Sequence, residues 1–374
     1  MIKKKQKLGL NVVLIFLVIF LVSCGKQETD WAGTIKEVDG VVVVKNPLEP
    51  IYGEEAFSLE EELVIGEAER SEEYMFQSIY MLDVSDIGDI YDLDFKAQHV
   101  KVFNQNGKYL RTIGRPGQGP GELFFPRSVD YTSYDEVVVG TANNITYFSP
   151  EGEYLKSLPL TNAPRGTSIK IDSDGNIFGL SSFRDLGVYE LRKYDPEFSQ
   201  LYSYDSSPHP PEELQRTGKM DPFFNALKWD IINGNQIVCG YPGEGYILKI
   251  YDSSANLIRK IEKKYIQREI TEKDLEEEKT KLPPDLRENV TAPKYFPPYR
   301  DLKADDEGRT YVYTYERVPD SDKYYYDIFD PEGRYILKVP LMTRFWILKN
   351  KLYSIEEDEE GYQYIKRYRI IWGF

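Results

Sequence analysis

A unit of roughly 40–45 residues recurs along this chain, and few architectures other than stacked small sheets use that period. The clearest copy joins one unit to the next at residues 109–129, YLRTIGRPGQGPGELFFPRSV. A strand-like run ends at Ile113, and a loop with Gly114, Gly117, Gly119 and Gly121 follows. Then come Phe124-Phe125, a proline, and a new strand running to Asp130.

The aspartate that ends the first apolar strand, followed within a few residues by glycine, marks the other copies: Asp83, Asp172, Asp230 and Asp305, with Asp130 lacking the glycine. Short second strands are expected at 90–91, 137–139, 177–178, 237–238 and 311–313, and third strands at 100–103, 145–148, 191–194, 247–251 and 326–329. The turns NQNG, SPEG, DPEF, DSSA and DPEG lead to fourth strands at 109–113, 154–158, 201–204, 257–261 and 335–339. A sixth unit, from Arg344, holds only three strands before the chain stops. The missing strand is at the other end, where FSLEEELVIGE (57–67) matches KYLRTIGR (108–115) in ending on Ile-Gly. Pairing it with the last unit removes two exposed sheet edges at once. The expected fold is all-β: a six-bladed β-propeller over 34–374, with four-stranded antiparallel blades and a last blade closed by an N-terminal strand. Asp39-Gly40 between apolar runs at 34–38 and 41–44 predicts a hairpin. Insertions break the repeat at 208–220 and at about 263–298; the second carries a surface helix over 271–281, with Thr271 as N-cap and Pro283-Pro284 as stop.

The run IGRPGQGPGELFFPRSV and the repeated DxDGNI-like turn resemble the NHL-type six-bladed β-propeller. The VDGVVVVKNP hairpin and the segment YFPPYRDLKADDEGRTYV are similar to those of bacterial lipoproteins that are themselves six-bladed propellers. The resemblance spans nearly the whole mature chain and speaks for fold rather than chemistry, since propellers host many functions.

Lys3, Lys4, Lys5 and Lys7 precede an apolar run at 8–22, too short to span a membrane comfortably and right for a signal sequence. Leu21-Val22-Ser23-Cys24 resembles a bacterial lipobox. The resemblance implies cleavage after residue 23, lipid on Cys24, a tether at 24–33, and a monomer held on the periplasmic or cell-surface face of a bacterial envelope membrane. Cleavage takes the formal charge from −15 to −19, four lysines fewer. Such acidity excludes nucleic acid, whose phosphates need clustered cations. Besides Cys24 the only cysteine is Cys239, in an apolar run, expected as a buried inert thiol.

The two histidines, His99 and His209, have no Cys or His nearby, and no nucleophile–base pair, metal set or cofactor motif can be assembled from spacing. The recurring aspartates are expected to cap turns. Asp172-Ser173-Asp174-Gly175-Asn176 lacks the distal Glu of a calcium loop, and the glycine loop at 114–121 lacks the helix of a phosphate cradle. The lead-in to each first strand is more informative. These segments read YMFQS, FFPRS, PFFNA and YFPPYRD, with aromatics expected to wedge between blades. Arg127, Asn225 and Arg300 occupy matching places just after them, and Arg165 and Arg344 stand near the same point in their units. Around one channel mouth they would focus a positive field for an anionic ligand. The expected function is non-catalytic binding of an envelope protein, a peptide or an anionic glycan. The alternative is a channel enzyme of gluconolactonase or lyase type, with a divalent metal held by residues such as Asn225 and Asp301.

Overall fold

The computed structural model describes residues 31–66, 71–160, 169–210, 216–321 and 323–374, so Cys24 and Arg165 lie outside the described residues. Six sheets carry the repeat. Blade one is Ile79–Val84, Ile90–Asp94, His99–Phe103 and Tyr109–Ile113. Blade two is Ser128–Tyr131, Val137–Gly140, Asn144–Phe148 and Tyr154–Pro159. Blade three is Lys170–Ile171, Ile177–Phe183, Val188–Tyr194 and Gln200–Pro208. Blade four is Lys228–Ile232, Gln236–Gly240, Ile247–Tyr251 and Leu257–Lys263. Blade five is Asp301–Ala304, Thr310–Arg317, Tyr324–Phe329 and Tyr335–Leu341. Blade six is Phe345–Leu348, Lys351–Glu357 and Gln363–Trp372, completed by Phe57–Ile65.

The closure is antiparallel, from Ile365 opposite Ile65 to Trp372 opposite Phe57. Across it lie the ion pairs Lys351–Glu62 (2.8 Å) and Lys366–Glu61 (3.2 Å). The hairpin Thr34–Val38/Val41–Asn46 turns on Asp39 and Gly40, both at positive φ (52° and 80°). Its second strand adds in parallel to Leu257–Lys263, so the sheet of blade four is six strands wide. Asn46 fixes this addition: its side-chain amide donates to the Gly333 carbonyl (2.9 Å) and accepts from the Tyr335 N–H (2.7 Å) on blade five.

The core is divided among the blade interfaces. Val102, Ile113, Leu123 and Val139 fill the seam of blades one and two. Ile65, Ile79, Phe103 and Ile355 fill the seam of blades six and one, so the closing strand supplies core as well as hydrogen bonds. A smaller cluster of Phe223, Phe296 and Tyr315 sits under the insertion, with Leu275 of the helix Glu272–Thr280 against it. That helix starts in a capping box: Thr271 Oγ1 accepts from the Asp274 N–H (3.2 Å), and the Asp274 carboxylate accepts from the Thr271 N–H (2.9 Å).

Outer turns are capped as their composition predicts, Asp195 and Asp252 each accepting two N–H groups of their own turn. Between first and second strands the pattern divides. Asp172 and Asp305 cap the turn. Asp83, Asp130 and Asp230 do not. They stand two residues earlier, opposite Tyr91, Val138 and Val238, and the caps in blades one and two are Ser85 and Thr132.

Candidate functional site: the axial channel

The cross-strand register places six residues at one equivalent point of the first strands: Asp83, Asp130, Lys170, Asp230, Lys303 and Trp346. First strands are the inner edges of the blades, and an inner edge offers backbone N–H groups with no strand to pair them. The carboxylates take up these groups on the next blade. Asp83 accepts from Tyr131 N–H (2.5 Å), Asp130 from Ile171 N–H (3.4 Å) and Asp230 from Ala304 N–H (2.9 Å). In blade three the ring residue is Lys170, whose ammonium binds Asp230 instead. The ring therefore stitches blades one to five in succession.

Two chambers of about 370 and 270 Å³ share Lys170 and Asp230. The smaller is bounded by the first-strand ends of all six blades, which places it on the axis, and the larger adjoins it there, so the two together form the axial channel. Aspartates outnumber lysines in its wall, with Asp83, Asp130 and Asp230 facing Lys170 and Lys349. Burial raises Asp83 to about 6, against the opposing pull of its backbone N–H partners. Burial, then the neighbouring charge of Asp83, pushes Asp130 well above the ordinary carboxylate range, and its buried Oδ2 has no partner among the described residues. Burial works against the Lys170 charge, but Asp230 in contact outweighs it and the ammonium is stabilised.

The larger chamber differs in character. Tyr80, Trp229 and Trp346 line it together with Asp301 and Lys303. Lys303 makes no hydrogen bond or ion pair among the described residues; its Nζ lies 5.3 Å from the Trp346 ring and 5.5 Å from that of Phe345. Burial lowers its pKa, Asp301 opposes this, and the like charges of Lys170 and Arg344 add to it. This ammonium stands beside aromatic rings, where the carboxylates Asp301 and Asp230 favour its charge and the cations Lys170 and Arg344 oppose it.

The four sequence candidates that lie within the described residues, Arg127, Asn225, Arg300 and Arg344, do not form one cluster. Arg344 donates to the Ile79 carbonyl at the seam of blades six and one and is near enough to Lys303 to repel it. Arg127 lies 6.0 Å from the ring of Phe95. Arg300 turns outward over strands two and three of its own blade: it pairs with Glu278 of the insertion helix (2.6 Å) and lies over Tyr315 (4.3 Å) and Tyr324 (5.1 Å). Asn225 donates to the Tyr315 hydroxyl (2.8 Å), so it joins Arg300 through that tyrosine, under the helix. The lead-in aromatics divide too. Phe223 and Phe296 are buried, whereas Phe125 is exposed at φ 49°. Residues missed by pattern alone are Lys170, Lys303, Trp229 and Trp346; for Lys170, Lys303 and Trp346 the clue was the shared place in the first strand where charge or indole interrupts an apolar run, and Trp229 directly precedes that place in blade four.

Other candidates are structural. In the glycine loop, Glu122 accepts from the Gly119 N–H (2.9 Å) and pairs with Arg115 (3.1 Å), so a side chain of the loop itself occupies the amide. Cys239 is buried, and burial raises its thiol pKa well above the usual range. His209 stacks on Tyr189 at 4.0 Å. Burial lowers the pKa of His99. Among the described residues, no group of three or more His, Cys, Asp or Glu could hold a metal ion, and no helix is long and apolar enough to cross a membrane.

With this geometry established, known proteins give a consistent comparison of fold. A family model, DUF5128, described as a 6-bladed beta-propeller, matches residues 68–206. A Bacteroides fragilis protein described as exported superposes with a TM-score of 0.56 at 11% identity, over 88% of this chain and 99% of its own. A DUF4221 member from Bacteroides vulgatus gives 0.52 at 13% identity, over 84% and 98%. A gluconolactonase of Xanthomonas campestris gives 0.44 at 9% identity, over 79% and 88%, a likeness too distant to bear on chemistry. No curated protein matches the sequence. The chain is a six-bladed β-propeller.

Proposed function

We propose that this propeller is a non-catalytic binding protein of the bacterial cell envelope, held there by lipid on Cys24, and that its axial channel takes the anionic end of a peptide or glycan. One observation carries the binding site: the Lys303 ammonium stands beside Trp346 with no carboxylate in contact among the described residues. A bound anion would stabilise the charged form that burial disfavours, and the indoles would cover the attached apolar part. The channel carboxylates favour binding over metal chemistry, because Asp83 and Asp230 are already taken up by backbone N–H groups and by Lys170. Two of the four tryptophans line this chamber, so intrinsic fluorescence reports on it. Titration with acidic dipeptides and with galacturonic acid oligomers is expected to change Trp emission, and Lys303→Met to weaken the effect at least tenfold with its melting temperature unchanged. Equal binding by the variant would remove the site.

Anchoring rests on the sequence of the N-terminus and agrees with the exported Bacteroides fragilis protein of the same fold. Replacing Cys24 by Ala is expected to leave an uncleaved precursor without lipid. Radiolabelled palmitate incorporation and membrane fractionation measure this, and an acylated, membrane-bound variant would refute it.

A further inference from the structure

The pieces of chain that break the blade repeat come together at the outer side of blades four and five. They enclose a cavity of about 450 Å³, within the range of small-ligand sites. Its floor is a buried polar network. Asp327 accepts from the hydroxyls of Tyr246 (2.6 Å) and Tyr335 (2.7 Å), and Lys263 lies 3.3 Å from the same carboxylate, over both tyrosine rings. Its walls come from both ends of the insertion, with Tyr265 and Gln267 on one side and Phe296-Pro297-Pro298 on the other. A second chamber of about 340 Å³ shares these same five residues and continues past Tyr241 and Tyr295.

From this arrangement we infer a second binding site, for a neutral oligosaccharide lying between Tyr265 and the partly exposed Pro297-Pro298. The charges of the cavity are mostly matched internally: Lys263 with Asp327, Lys338 with Glu316 (2.6 Å) and Arg268 with Asp274 (3.6 Å). A site so balanced gives an ion little net attraction and leaves hydroxyl oxygens and an amide to hydrogen-bond uncharged groups. Flat aromatic and proline faces suit the C–H face of a sugar ring. Two chambers that share one wall suit a ligand built of repeated rings better than a single compact molecule. The site is separate from the axial channel and shares no residue with either of its chambers.

Calorimetry and saturation-transfer NMR with cellotetraose, maltotetraose, laminaritetraose, mannotetraose and N-acetylchitotetraose test this on the full mature protein. At least one is expected to bind with millimolar or better affinity. Tyr265→Ala and the milder Gln267→Ala, at an exposed position, are expected to weaken it at least tenfold and threefold. Lys303→Met in the channel is expected to bind as wild type. Failure of all five sugars at 10 mM, binding of an acidic tetrasaccharide alone, or wild-type binding by Gln267→Ala together with a folded Tyr265→Ala would each overturn the inference.

Discussion

Truncation through residue 66 is expected to abolish the folded protein, whereas truncation through residue 33 leaves it soluble with a melting temperature close to wild type. The longer deletion removes the strand Phe57–Ile65, and with it the outer edge of blade six and part of the seam between blades six and one. Ile65 is fully buried in that seam and Leu63 packs against it. Losing a large buried aliphatic alone costs about 2–5 kcal/mol, and the whole strand takes more. Domain stability is about 5–15 kcal/mol, so little or none remains. A deletion ending after Asn46 is expected to fall between, because it removes the added hairpin and the Asn46 bridge to blade five but leaves the ring closed. Thermal melts and size-exclusion chromatography of the three truncations measure the order. Equal stability of the shortest and longest forms would contradict closure by this strand.

Lys170→Met is expected to lower stability by about 3 kcal/mol, near the lower end of the range for removing one partner of a buried pair. The lower end applies because the Lys170 side chain keeps 27% of its exposure, on the channel side. The change strands Asp230 and withdraws a positive charge from Asp130 and Asp83, whose carboxyls burial already disfavours as anions. Asp230→Ala is expected to cost more, since Asp230 also accepts from the N–H groups of Ile231 (2.7 Å) and Ala304 (2.9 Å). Urea denaturation at pH 7 gives the comparison. Lys170→Met with wild-type stability would mean that the ring does not stitch the blades.

The strands, the six units and the closing strand were legible because each rests on local chemistry: alternating apolar residues, turn-capping Asx residues, and a fragment that repeats an Ile-Gly strand end. The channel ring was hidden by the same chemistry. Asp83 and Asp230 look like the turn caps Asp172 and Asp305 when only the spacing to a glycine is followed, Asp130 looks like them because it also ends an apolar strand, and all three differ from them by two residues. Lys170, Lys303 and Trp346 share no residue type with the ring aspartates, so no motif could join them; only the pairing register does. Arg300 was read by its place in the repeat, but its partner Glu278 lies in a helix the repeat does not contain. The parallel seating of the hairpin on blade four was likewise beyond pattern, since its apolar strand would suit any exposed edge.

The closure also sets an order of events. Ile65 pairs with Ile365, across 300 residues of chain. While the polypeptide is incomplete, Phe57–Ile65 has no partner, and blade one has a bare neighbour on the side where blade six belongs. Five blades can form from contacts within and between adjacent units, but the seam of blades six and one waits for the last strand, Gln363–Trp372. Long-range pairing of this kind is slow and leaves edges open to other chains meanwhile. The final step of maturation is thus a buckle, fastened once the C-terminal segment is available, and until then the chain is an open arc rather than a ring.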